Sequence, residues 1–102
     1  MREFELYVPL TYNDGTPIKI EKIHAVRDRL AQEFGGLTYS PQANEGFWKM
    51  GDIAFRDQII IFRFLAADVR KSRRFLRKLK ADLKAELKQH DILIVERTIT
   101  TL

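Results

Sequence analysis

The chain has no cysteine. That excludes a disulfide framework, thiol catalysis and thiolate zinc sites, and it fits a reducing compartment. Histidine is nearly as scarce. His24 and His90 stand far apart and are too few to build a metal site alone. No apolar run approaches the ~18 residues that a membrane span needs. The opening MREFELYVPL alternates charged and apolar residues and lacks the apolar block of a signal peptide. These absences lead to the expectation of a cytoplasmic protein with no membrane partner, no metal and no cofactor. No Gly-rich phosphate loop or other catalytic motif stands out, so the residues name no activity.

What is present is an ordinary globular composition. The 102 residues are 45% hydrophobic and 31% charged, with a net charge of +4. This fits a single domain spanning 1–102 and leaves no room for a second core. Residues 3–10, EFELYVPL, alternate with period two, which predicts a strand with Phe4, Leu6, Val8 and Leu10 on one face. Pro9 predicts where its pairing stops. TYNDGTP (11–17) is turn chemistry, with Thr16 a candidate N-cap of the next element. Ile23, Val26, Leu30 and Phe34 recur at helical spacing over 19–34, and Gly35-Gly36 supplies the stop. A short second strand at 37–40 is interrupted by Pro41 and can resume at 47–50.

The longest strand signal is Ile53 to Phe64, with Ile59–Phe62 at its centre. Residues 69–89 carry a helical stripe of Val69, Ser72, Leu76, Leu79, Leu83 and Leu87, opened by Asp68 as N-cap. A last strand follows at 92–100. The order β, α, β, β, α, β predicts an α+β, ferredoxin-like sandwich, with two helices on one face of a four-stranded antiparallel sheet. Strands one and three are central. The expected core includes Phe4, Leu6, Val8, Ile23, Val26, Leu30, Ile60, Phe62, Leu76, Leu79 and Leu83.

Several ferredoxin-like families fail on their motifs. The third strand, IAFRDQIIIFRF, lacks the basic-Gly-aromatic signature of an RNA-recognition module. TYNDGTP has one glycine and no arginine, unlike the Gly-rich, Arg-terminated phosphate loop of an acyl-phosphate hydrolase. A different pattern does match. Phe34-Gly35-Gly36-x-Thr38, then Gly46-x-Trp48, then Arg56-Asp57 before an apolar strand resembles a family of small bacterial ferredoxin-like domains of unknown function. The resemblance covers about half the chain. It implies the same fold and carries no activity.

The sequence offers three candidate surfaces. Tyr39, Trp48, Arg56 and Asp57 could form a ligand pocket with an aromatic wall and a charged pair. The plainer reading is that Trp48 caps a small core and Arg56–Asp57 organise a turn. Between 69 and 90 there are nine cations and two acids, nine minus two giving +7. Arg70, Arg73, Arg74, Arg77 and Lys78 could track nucleic-acid phosphates. The plainer reading is a solvated helix face. Finally, the second face of a four-stranded sheet lacks a cover. Ile59, Ile61, Leu93 and Val95 are therefore expected at a homodimer interface. Taken together, these readings lead to the expectation of a non-catalytic homodimer that binds a small-molecule ligand or a partner. Nucleic-acid binding through 69–89 is the alternative. A small dimeric α/β-barrel-type enzyme is a further one, with Tyr7, Tyr39, Trp48 and Arg63 as the residues to watch, and its mark would be a closed cavity on the open face holding His24, His90 or a buried carboxylate.

Overall fold

The computed structural model describes residues 1–39, 44–50 and 53–102, with side chains described for 1–39 and 58–102. Strand β1 spans Arg2–Pro9. In the turn that follows, Gly15 has φ 87, a left-handed conformation that suits glycine. Thr16 is not a helix cap. Its N–H and hydroxyl both donate to the Asp14 carboxylate, which closes the turn instead. Helix α1, Ile20–Phe34, starts at Lys19 with no side-chain cap. Its C-cap is Gly35 at φ 77, and the Gly35 N–H reaches the Ala31 carbonyl at 2.9 Å.

The expected second strand is two pieces. β2 is Thr38–Tyr39 and β3 is Asn44–Met50. Both pieces pair antiparallel with β4, Ile53–Ala66, so they share one edge position. β4 also pairs with β1 from Ala66 to Ile59. Beyond that the Leu10 N–H reaches the Gln58 carbonyl at 2.8 Å. Among the described residues, Ile53–Asp57 then has β3 as its one partner. A two-stranded ribbon ~17 Å long therefore runs out from the sheet.

Helix α2, Val69–Glu86, is capped by Asp68, whose carboxylate accepts from the Lys71 N–H at 3.1 Å. It ends three residues before the expected Gln89. Lys88 turns left-handed at φ 51, while Gln89 N–H bonds back to the Lys84 carbonyl at 3.0 Å. Strand β5, Ile94–Thr98, pairs with the other edge of β1 and is shorter than the expected 92–100.

The result is a four-position antiparallel sheet with two helices packed on one face, the ferredoxin-like arrangement. β1 and β4 are central, as expected. Every residue of the expected core is buried against the helices, with Leu6, Leu30 and Leu79 fully enclosed. Phe34 closes one end of that core. Its ring stacks on Phe64 at 4.5 Å and meets Phe75 edge-on at 5.7 Å.

Candidate functional site

The alternation of β1 turns Glu3, Glu5 and Tyr7 to the sheet face away from the helices. Register then decides their neighbours. Glu5 lies opposite Arg63 on β4, and Glu3 lies opposite Arg97 on β5. The Glu5 carboxylate is 3% exposed although it sits on the open face. Its Oε2 accepts from Arg63 Nε at 3.1 Å, and its Oε1 accepts from Arg97 Nη1. Arg97 also lies 3.4 Å from Glu3. Both guanidinium groups are about half exposed and form a lid over the buried carboxylate. A buried anion is tolerable only with such partners.

The open face is thus not the contiguous aliphatic patch expected for Ile59, Ile61, Leu93 and Val95. Its middle is ionic. Ile59 is already buried within one chain, Ile61 and Val95 are half-buried, and Leu93 is 37% exposed. Sequence alternation correctly separated these residues from the helix-facing set. It could not show that a cross-strand ionic network lies among them.

A cleft of about 500 Å³ opens beside this network, lined by Glu3, Phe34, Gly35, Gly36, Leu37, Thr38, Arg63, Phe64 and Leu65. The FGG turn builds one wall. It ends α1, then brings the chain back onto the β4 edge, where Thr38 pairs with Arg63. The cleft therefore combines a hydroxyl, a guanidinium and a carboxylate with an apolar lining of Phe34, Leu37, Phe64 and Leu65. Convergence of a few polar groups on an apolar wall is how small-molecule sites are built. Arg63, which the sequence singled out for the open face, lines this cleft, and so does Thr38, which it did not single out.

Tyr39 lies on the other side of β2. Its ring packs on Phe62 at 5.2 Å and lines a cavity of about 100 Å³ with Ile20, Ile23, His24, Arg27 and Ile60. The Arg27 guanidinium is held above its ordinary range, first by its hydrogen bond to Tyr39 and then by Asp28. The side chains of Trp48, Arg56 and Asp57 lie outside the described residues. The ladder places their backbones on the ribbon, opposite Phe55, Phe47 and Gly46 respectively. His24 is exposed on α1 and His90 is exposed after α2, so neither joins the open face.

On α2 the cations divide. Arg73 makes two hydrogen bonds to Glu96, at 2.8 and 2.7 Å. Lys78 and Arg29 share Asp82, each at 3.0 Å. Lys80 reaches Asp91 at 3.2 Å. Each of these carboxylates is held below its ordinary range by its hydrogen-bonded cation. Among the described residues, no carboxylate pairs with Arg70, Arg74 or Arg77. Also among the described residues, no His, Cys, Asp and Glu cluster suits a metal ion, and no helix is long and apolar enough to cross a membrane.

No family model matches the chain, and no curated protein matches it in sequence. Solved structures do match its architecture. A phage SAM lyase in complex with S-methyl-5'-thioadenosine aligns with a TM-score of 0.73 at 12% identity, covering 94% of this chain and 79% of that one. A phage SAM lyase in its apo state gives 0.71 at 13% identity, covering 94% of this chain and 78% of that one. CutA1 from Pyrococcus horikoshii OT3 gives 0.62 at 12% identity, covering 100% of this chain and 86% of that one. The likeness is one of fold. The ferredoxin-like sandwich is shared, and at these identities no residue's role comes with it.

Proposed function

We propose that this chain is a small-molecule-binding protein that assembles with copies of itself. The ligand sits in the cleft beside the FGG turn. The observation that carries the reading is the convergence of Arg63, Thr38 and Glu3 on a cleft of about 500 Å³ whose remaining side chains are apolar. That lining, about as polar as it is apolar, suits a compound with an apolar part joined to an arm that accepts hydrogen bonds from a guanidinium. A fold neighbour is a SAM lyase whose structure holds S-methyl-5'-thioadenosine. A thioether nucleoside is one compound of this description and makes the natural first probe.

Binding is favoured over catalysis because the buried carboxylate of the open face is already occupied. Each oxygen of Glu5 accepts from a guanidinium, so it is poorly placed to take a substrate's proton. Self-assembly rests on the ribbon and the open face. An isolated two-stranded ribbon is marginal in water, and a second copy covers both it and the exposed Leu93. A homodimer is the simplest closed form.

The test uses Gly36. A Cβ there meets nothing within 4 Å and the residue's φ is not left-handed, so a side chain can enter the cleft without backbone strain. Calorimetry with S-methyl-5'-thioadenosine and a panel of nucleosides should show saturable binding to the wild type and none to Gly36→Phe. Absence of binding across the panel at millimolar concentration would count against the reading, as would unchanged binding to Gly36→Phe.

A further inference from the structure

The cations of α2 are placed against helix physics. Its opening carries Arg70, Lys71, Arg73 and Arg74, with no acid in the first turn. The macrodipole makes this end partly positive, so cations are disfavoured here and favoured at the other end. Ion pairing accounts for Arg73, Lys78 and Lys80, whose partners are Glu96, Asp82 and Asp91. Among the described residues it leaves, besides Lys71 and Lys84, three arginines, Arg70, Arg74 and Arg77, all exposed. Their spacing of four and three residues puts them within ~60° of one another around the helix. They lie on the side opposite the buried Ser72, Leu76, Leu79 and Leu83.

We propose that this arginine stripe docks on the phosphate backbone of a nucleic acid. From Arg70 to Arg77 the helix rises ~10.5 Å, and one strand of a DNA duplex carries a phosphate per ~3.4 Å of axis, so ~3 phosphates of one strand lie along the three guanidinium groups. A guanidinium fork matches phosphate oxygens in a bidentate way that an ammonium does not. A lipid surface fits less well. The stripe is flanked by Lys71, Lys78, Ala81 and Ala85, with no aromatic or large aliphatic side chain to enter a headgroup layer. Without an aromatic on this face there is no platform for stacking bases, so the contact is with the backbone and is indifferent to sequence. The stripe points away from the sheet, so it and the cleft operate independently.

The test is fluorescence anisotropy with a labelled 20-base-pair DNA duplex of mixed sequence, titrated from 50 to 300 mM salt. Three phosphate contacts give a slope of log K against log salt of about −2.7. Arg70→Gln, Arg74→Gln and Arg77→Gln should each reduce the slope by about one contact. The triple variant should lose binding while its circular dichroism is unchanged, because glutamine is as good a helix former as arginine. Arg73→Gln and Lys78→Gln should leave the slope as it was. No binding at 50 mM salt would overturn the proposal. So would a triple variant that binds like the wild type, or binding to phosphatidylserine vesicles or polyglutamate but not to the duplex.

Discussion

The burial of Glu5 allows a quantitative test of the open face. Glu5 is 3% exposed, while Arg63 and Arg97 are 46% and 52% exposed. The two sides of the network should therefore respond unequally. Replacing the carboxylate by an apolar group of similar size frees two guanidinium groups that water already reaches. Glu5→Leu is expected to be neutral to within ~1 kcal/mol. Replacing both arginines strands a buried anion, and Arg63→Met with Arg97→Met together are expected to cost ~3–5 kcal/mol. For a domain of this size each kcal/mol moves the Tm by ~4–8 °C, so the double variant should melt ~12–40 °C lower. Adding Glu5→Leu to it removes the stranded charge and should restore most of the loss. Thermal unfolding at pH 7 and one fixed protein concentration measures all three variants; the concentration is held because assembly alters apparent stability. If the double arginine variant costs under ~1 kcal/mol, or if Glu5→Leu fails to rescue it, the carboxylate is not held as described.

Three further outcomes follow from the same geometry. Leu79→Ala, at a fully buried position on α2, should cost ~2–5 kcal/mol in denaturant unfolding, and a cost under ~1 kcal/mol would mean the core is misplaced. Gly35→Ala meets no neighbour within 4 Å but must hold φ 77, so it should cost ~1–2 kcal/mol from the backbone alone. Acid should weaken the fold through Glu96, Asp82 and Asp91. Their folded-state carboxyls lie below their ordinary values, so their contribution is present above about pH 4–5 and is lost as pH falls through the lowered values. A melting temperature that does not fall between pH 5 and pH 2.5 would contradict this.

Much of the fold was legible because it rests on local periodicity. The period-two run of β1, the helical spacing of Ile23, Val26 and Leu30, and the Gly35 stop each follow from short-range rules, and each is where expected. Thr16 misled because the acid two residues before it, Asp14, competes for its N–H and hydroxyl. The end of α2 was hidden because Leu87 continues the buried stripe while serving as the cap, and no glycine marks the left-handed Lys88. The cleft was less legible still. Glu3 and Arg63 are sixty residues apart in the chain, and register alone brings them to the FGG turn. Alternation placed Glu5 on the open face correctly, but it does not say which arginines lie opposite and diagonal to it. Of the sites expected from the sequence, Tyr39 faces the helix layer, and the side chains of Trp48, Arg56 and Asp57 lie outside the described residues.

The most direct test of the proposal that the chain assembles with itself and binds a ligand is native mass spectrometry of the purified chain with added S-methyl-5'-thioadenosine. The account predicts a mass of at least two 12.0 kDa chains that takes up the compound. Gly36→Phe should assemble equally and take up none. A 12.0 kDa species at micromolar concentration that takes up nothing would contradict it.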